Sequence, residues 1–456
     1  MVKRRGSERS KIGVADGGAD HVLIIVQNLS VPLDRRVWLE CQALKAAGYS
    51  VSVICPKGPG DADYEVIDGV HIHRYRPAPE AGGLGGFVLE FVYSWLRTAR
   101  LSIKVWRRQR FTIMQACNPP DTYWALARLW RLGGVTFVFD HHDLNPELFI
   151  SRFGAPTTVL ERAEYAGLRW LERMTFATAR RVISTNESYK AIAIKRGGRA
   201  PSEVTVVRSG PDTSEMRPVY PVNGQPKDRR YSLVYLGIMG PQDGVDIVLE
   251  LMDELVHRRR RDDVRATLLG FGDCFDDLRT RCTELGLDEL VTFTGRADKA
   301  MIADHLSAAD VGLCPDLKTP LNDVSTMNKT MEYMSYALPS VSFDLVETRV
   351  SGADSVLYVP SGDVSGFAAA VEQLLDDPEL RVSIARRARQ RVSADLDWRP
   401  QAKAYLGVYS ELTGRTVREL PESSEATATV DQRGRTYVPL DDEVEFERFI
   451  RERSPR

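Results

Sequence analysis

Short apolar runs separated by longer amphipathic stretches recur along this chain in two series. The first comprises His21–Val26, Tyr49–Ile54, Val70–Arg74, Thr112–Ala116, Val135–Phe139, Arg181–Ser184 and Val204–Val207. The second comprises Ser232–Leu236, Ala266–Leu269, Val291–Thr294, Val311–Cys314, Ser340–Phe343 and Val356–Val359. The runs are continuous rather than alternating, as strands covered on both faces require. Apolar residues return at helical spacing over Arg35–Ala47, Asp121–Leu132, Thr157–Ala177 and Glu187–Lys195. This alternation predicts an α/β chain with two doubly wound parallel sheets.

Residues 217–230 carry three prolines in a polar run and read as a linker between a lobe at 20–216 and a lobe at 231–397. Ligands of such sheets collect at the C-terminal ends of the strands, so facing lobes would enclose a shared cleft. A helical segment at 398–415 is expected to cross back onto the first lobe. Residues 1–19, basic and then Gly-rich, read as a disordered tail. So, for the most part, do residues 416–456, rich in Glu, Ser, Thr, Asp and Arg, with Leu440–Ile450 a candidate helix for a partner.

Composition narrows the function classes. The 456 residues suffice for two or three domains, and 43% hydrophobic with 27% charged content is that of an ordinary globular protein. A net charge of −2 gives no reason to expect nucleic acid as a partner. The six cysteines are scattered without a CxxC pair, which predicts neither disulfides nor a zinc site and fits a reducing cytosol. Residues 1–19 lack an apolar signal core, and no run approaches the roughly 18–20 apolar residues of a membrane span. The expected location is therefore cytoplasmic. The first strand leads into Gln27–Arg36 without a glycine, Gly270-Phe271-Gly272 lacks the third glycine of a dinucleotide fingerprint, and no P-loop is present. Neither a cofactor nor a metal is expected.

Three constellations carry candidate chemistry. Asn328-Lys329-Thr330-Met331-Glu332 opens a helix in the second lobe. Helix starts offer unpaired N–H groups to a diphosphate, Lys329 would add charge, and Glu332 could accept from sugar hydroxyls. A plain amphipathic helix with solvated Lys329 and Glu332 is the alternative. The cluster Asp140-His141-His142-Asp143 follows a strand and points into the cleft, where His142 and Asp143 could orient or deprotonate an acceptor hydroxyl or contact a transferring sugar. Asp143 serves equally well as a helix cap. The turn Gly237-Ile238-Met239-Gly240-Pro241-Gln242-Asp243-Gly244 would let amides approach a phosphate, or is simply a tight strand–helix turn.

Together these residues resemble glycosyltransferase family 4, the retaining GT-B enzymes that act on nucleotide sugars, and in particular the subgroup that builds surface polysaccharides on lipid carriers. The resemblance spans roughly residues 20–413. It rests on Asp34-Arg35-Arg36-Val37-Trp38, 44–56, His142-Asp143 with Pro146-Glu147, 207–212, 268–272, 291–295 and 329–341. It implies two Rossmann-like domains, with Asp34, Arg35 and Arg36 on the acceptor side and His142 near the transferring sugar. It also implies Glu332 on the ribose, residues 237–244 (Gly237, Gly240, Asp243, Gly244) with Asn328 and Lys329 on the diphosphate, and Gly270, Gly295 and Arg296 on the donor. The chain departs from the family pattern twice. Val324 stands where the first of two paired glutamates belongs, with Asp323 out of register. The first loop of the second lobe lacks its usual Arg and Lys, leaving Lys329, backbone amides and Arg208 or Arg349 for the diphosphate.

Within 84–110, Val92, Leu96, Ala99, Ile103 and Trp106 form an apolar stripe beside a basic one of Arg97, Arg100, Lys104, Arg107 and Arg108. Such a helix suits an anionic membrane surface, or packs on the sheet with a solvated basic edge. The expected function is a metal-independent transferase, peripheral on the inner face of the plasma membrane. It would move a hexose or N-acetylhexosamine from a nucleotide diphosphate sugar, UDP favoured over GDP, to a lipid-linked or glycan acceptor. A sugar-nucleotide epimerase of the same fold and a catalytically degenerate scaffold are the alternatives.

Overall fold

The computed structural model describes residues 20–78, 83–220, 230–416 and 428–453. The first lobe holds β1 (His21–Ile25), β2 (Ser50–Pro56), β3 (Tyr64–Ile67), β4 (Val70–Tyr75), β5 (Ile113–Cys117), β6 (Thr136–His141), β7 (Arg181–Ser184) and β8 (Val204–Val206). They form one sheet in the order β3-β4-β2-β1-β5-β6-β7-β8, parallel except for the antiparallel β3–β4 edge. The second lobe holds β9 (Tyr231–Leu236), β10 (Val264–Leu269), β11 (Val291–Gly295), β12 (Val311–Cys314), β13 (Ser340–Phe343) and β14 (Leu357–Val359). Its order is β11-β10-β9-β12-β13-β14, with every pairing parallel. The two doubly wound sheets are those expected from the apolar runs. The sequence pattern misses β3, a short edge strand with only alternate burial, and the nine-residue helix Asn145–Phe153.

Caps fix the helices that matter for the cleft. Asp34 accepts from the Val37 amide and starts the helix Arg35–Ala46 at the C-terminal end of β1. Asn186 does the same for Glu187–Lys195 through the Tyr189 amide, 2.7 Å away. The helix Trp398–Thr413 is capped by Asp397, which also receives the amide and hydroxyl of Thr213 at 3.1 and 2.6 Å. Its Ala402, Tyr405, Leu406 and Tyr409 lie in the first lobe's core with Val37, Cys41 and Leu44, so the chain ends its second lobe by returning to the first.

The segment expected to be a disordered tail folds over residues 428–453. Tyr437 pairs with Val219, and Val438 donates to the Pro218 carbonyl at 3.0 Å. The helix Glu443–Arg453 seats Phe446, Phe449 and Ile450 against Ala337, Val382 and Ala385 of the chain's own second lobe rather than on a partner. An average polar composition hid apolar residues spaced three and four apart, enough for one buried helix face. The expected linker lies partly outside the described residues, at 221–229, as does the 1–19 tail. Its start at 218–220 is a pairing site for the returning tail.

The long helix Gly83–Arg108 buries Ser94, Thr98, Ser102 and Val105 against the sheet. The predicted apolar stripe is split: Val92, Leu96 and Ile103 are exposed, with Leu89 beside them at 62%, while Ala99 and Trp106 pack against the first-lobe core. Among the described residues no helix is long and apolar enough to cross a membrane.

If the returning tail is integral to the second lobe, Phe449→Ala will lower its stability by about 3–5 kcal/mol, the usual cost of emptying a buried aromatic site. Val444→Ala, on the exposed side of the same helix, should change it by less than about 0.5 kcal/mol. Urea unfolding of the two variants is the measurement, and equal midpoints would show the tail to be dispensable.

Candidate active site

The first lobe brings β1, β5 and β6 to one edge, and their C-terminal ends meet at Arg36. This side chain is buried, and every nitrogen finds an acceptor. Its Nη2 donates to Asp140 at 3.0 Å, while Nη1 donates to the Val207 carbonyl at 2.8 Å and to Ser209 Oγ at 3.0 Å. Nε lies 2.9 Å from His142 Nε2 and 3.2 Å from Glu40. Gln115, from the middle of β5, donates to Glu40 at 2.7 Å and to Asp140 at 2.8 Å. Its carbonyl oxygen accepts from Tyr405 at 2.7 Å and from Tyr409, so the returning helix is part of the same network.

One negative charge suffices for one guanidinium. Burial opposes the ionisation of both carboxyls, but Arg36 and His142 hold Asp140 well below the usual carboxylate range. Burial and the neighbouring Asp140 push Glu40 well above it. The two shifts run in opposite directions and favour the proton on Glu40 and the charge on Asp140.

His142 Nε2 lies 2.8 Å from Asp140. An imidazole nitrogen cannot donate to Asp140 and accept from Arg36 at once: in one tautomer Nε2 accepts from Arg36 Nε, and in the other it donates to Asp140, Arg36 Nε turns to Glu40, and the lone pair is on Nδ1. Asn118, just after β5, clamps the same loop. Its Oδ1 accepts from the amides of His142 and Asp143 at 2.7 and 3.1 Å, and its Nδ2 donates to the Asp143 carbonyl at 2.7 Å. The adjacent His141 belongs to the core. It packs against Phe139, Phe176 and Tyr189, and burial followed by Arg196 and His142 pulls its pKa down to about 3. Asp143 does not cap the next helix, whose N-cap is Leu144; burial raises its pKa. Cys117, Asp140 and His142 place ligand atoms within 4.8 Å of one another, but the charge of Arg36 already fills the role a cation would have there.

In the second lobe, Gly237 and Gly270 end β9 and β10 and pass so closely that a Cβ on Gly270 would stand 1.8 Å from the Gly237 carbonyl oxygen. Gly244 has φ +65° at the start of the next helix, where a Cβ would stand 2.4 Å from the Pro315 carbonyl oxygen. Gly237 N–H donates to Leu269, Met239 to Phe271, and Gly240 to Asp243 Oδ2 at 2.9 Å. Of the turn expected to approach a phosphate, these three amides are bonded within the lobe, and Gly237 also serves the close passage against Gly270.

The helix Asn328–Ser335 leaves Asn328 exposed and buries Lys329. Lys329 is not a solvated point charge. Its Nζ donates to Asp316 at 2.6 Å and lies 5.1 Å from the Tyr235 ring centre. Burial works against its charge, but Asp316 outweighs that and keeps it protonated. Burial lifts Asp243 to about 6 even though Lys329 pulls the other way, so this loop gains a full negative charge only above that pH.

Glu332, one turn on from Lys329, receives the guanidinium of Arg35 from the opposite lobe. Of the three expected acceptor-side residues, only Arg35 reaches across in this way; Asp34 is spent as a cap and Arg36 is buried. Arg208 is 3.4 Å from Glu347, which also accepts from Ser188 at 2.6 Å. Arg349 pairs with Asp344, and the exposed Arg296 lies over the Phe271 ring at 5.1 Å. Val324 packs with Leu144, Tyr189 and Leu321 in an apolar contact between the lobes, while Asp323 accepts from the Val346 amide at 2.9 Å. Sequence reasoning missed Gln115, Asn118 and Asp316. The first was signalled by a polar residue inside a buried strand, the others by polar side chains just after one.

Two facing parallel-sheet lobes, a returning C-terminal helix and contacts between the lobes such as Arg35 with Glu332 make the GT-B fold found in glycosyltransferases. The chain belongs to that class by sequence as well: residues 33–215 match the model for Glycosyltransferase Family 4, and residues 230–377 match that for glycosyl transferases group 1. It is 26% identical over 395 residues to the glycogen synthase of Mycobacterium tuberculosis, covering 83% of this chain and 90% of that one. Among solved structures, sucrose-phosphate synthase from Thermosynechococcus elongatus superposes with a TM-score of 0.68 at 19% identity, over 87% of this chain and 100% of the other. Anabaena Alr3699/HepE in complex with UDP-glucose superposes with a TM-score of 0.60 at 15% identity, over the same shares.

If the proton of the pair sits on Glu40, Glu40→Gln should shift stability by less than about 1 kcal/mol, within the range of one ordinary hydrogen bond. Glu40→Gln with Asp140→Asn strands Arg36 without a counter-charge and should cost about 3–5 kcal/mol. Urea titration at pH 7 tests this, and a large loss in Glu40→Gln alone would mean the charge sits on Glu40.

Proposed function

We propose that this protein transfers a hexose or N-acetylhexosamine from a nucleotide diphosphate sugar, with UDP preferred, to a lipid-linked or growing glycan acceptor, retaining anomeric configuration. The observation that carries this reading is the bridge from Arg35 to Glu332, which joins the start of one lobe's first helix to the donor-side helix of the other. The two candidate halves of a transferase site therefore face each other in one cleft. The relationship to glycogen synthase and the likeness to a UDP-glucose-bound GT-B structure support a nucleotide sugar as donor.

In this mechanism the bond from sugar C1 to the leaving phosphate oxygen breaks. The acceptor oxygen bonds to C1 on the same face, and its proton passes to the departing phosphate oxygen. Glu332 takes the ribose hydroxyls. Lys329 has three ammonium hydrogens, one of them given to Asp316, which leaves two for phosphate oxygens. His142, held by Asp140 and Asn118, presents its remaining ring nitrogen to the transferring sugar. Charge is stabilised by groups already in place, without a metal ion.

The acceptor is brought by a membrane surface. The outward Leu89, Val92, Leu96 and Ile103 stand beside Arg97, Arg100 and Lys104 on one helix of the acceptor lobe. An apolar face with adjacent cations suits the interface of an anionic bilayer, each cation contributing about 1 kcal/mol.

Thermal melts with UDP, GDP and their sugar conjugates test the donor site. A ligand at a hundredfold excess over its Kd stabilises by about 2.7 kcal/mol. One nucleoside series should shift the melt, and His142→Ala should keep that shift while losing about a hundredfold or more in transfer rate, as removal of a positioned polar group does. No shift with any nucleotide would sink the donor assignment.

For the membrane surface, co-sedimentation with phosphatidylglycerol vesicles should fall at least tenfold in an Arg97→Glu, Arg100→Glu, Lys104→Glu variant. Undiminished binding would leave the exposed stripe unexplained by lipid.

A further inference from the structure

The second-lobe side of the cleft is short of available positive charge. Lys329 is tied to Asp316 at 2.6 Å, with Asp243 close enough to influence both. Arg208 is engaged by Glu347 and Arg349 by Asp344. The first loop carries Met239 and Asp243 but no cation. A diphosphate entering this region would meet two carboxylates and one lysine. That balance repels an anion unless a further cation joins it.

Arg35 is placed to be that cation. It stands at the first position of the helix Arg35–Ala46, and Asp34 is committed to the Val37 amide, so it offers Arg35 no competing role. Apart from Glu332, its hydrogen-bond partner among the described residues is Met216 Sδ at 3.3 Å. Its side chain keeps 32% of its surface open, against 14% for Glu332. Glu332 and Lys329 lie three residues apart on one helix face, about 5 Å along the axis, within the swing of an arginine side chain.

We infer that Arg35 is a donor-binding residue that crosses from the acceptor lobe: ribose hydroxyls displace it from Glu332, and its guanidinium then turns onto the diphosphate beside Lys329. The exchange replaces an ion pair with two charge-assisted contacts, carboxylate to ribose and guanidinium to phosphate. It couples donor binding to lobe closure, because the cation belongs to one lobe and the helix to the other. The inference rests on the donor site proposed above.

The test is calorimetric binding of UDP, UMP and uridine, with the guanosine series in parallel, to wild type, Arg35→Gln, Glu332→Gln and the double variant. Arg35→Gln should weaken UDP by about ten- to a hundredfold while leaving uridine within about twofold or slightly tighter. The loss should persist in the Glu332→Gln background, since it comes from the phosphate contact. Tighter binding of UDP and uridine alike would make Arg35 a mere competitor for Glu332 and overturn the proposal, as would unchanged UDP affinity. Absence of nucleotide binding by the folded wild type would instead remove the donor site itself, and this inference with it.

Discussion

A guanidinium cannot shed its proton, so wherever Arg36 is buried it must be met by acceptors and a counter-charge, and that requirement arranges the first lobe's half of the site. Asp140 supplies the charge, Val207 and Ser209 the neutral acceptors, and Gln115 orients the two carboxyls. The same Gln115 oxygen holds Tyr405 and Tyr409 of the returning helix. Pulling that helix away would leave a buried amide oxygen bare beside a charged pair, which ties the returning helix to the Arg36–Asp140 network.

The second lobe solves a different problem. Its strands end on glycines because two backbones pass closer than a Cβ permits. The Gly237, Met239 and Gly240 amides are bonded within the lobe and Lys329 is paired with Asp316, while Arg35 crosses from the first lobe to Glu332. The contacts from Asn186 to Val324 and Thr326, and from Ser188 to Glu347, show where the lobes bear on each other. Val324 in place of an acid belongs to this picture: it contributes to an apolar seam between lobes, where a carboxylate would have to be desolvated.

Both sheets could be read from the chain because continuous apolar runs bounded by turns encode strands buried on two faces, and a local pattern is enough to identify them. The caps at Asp34, Asn186 and Thr158 are local as well. The site was legible as a set of positions, since polar residues just after strands must gather at one edge of a parallel sheet. Its electrostatics were not. Whether Lys329 is free or neutralised depends on Asp316, thirteen residues earlier, and whether His142 or His141 faces the cleft depends on the side of β6 from which each leaves.

Composition misled where a few apolar residues mattered more than the average. Tyr437, Val438, Phe446 and Phe449 fold a segment whose overall makeup is that of a disordered tail. Periodicity identified the stripe at Val92, Leu96 and Ile103 but could not say which way it faces. Ser94, Thr98 and Ser102 are buried on the inner face together with Val105, while Tyr93, Trp95, Leu101 and Trp106 pack against the same core. The sequence by itself determined both sheets, the order of their main strands and the identity of the charged groups, all properties of near neighbours along the chain. Tertiary structure alone decided which charges are paired, which helix face is left open and which residue reaches across the cleft, because those depend on groups distant in sequence sharing a small, poorly solvated volume.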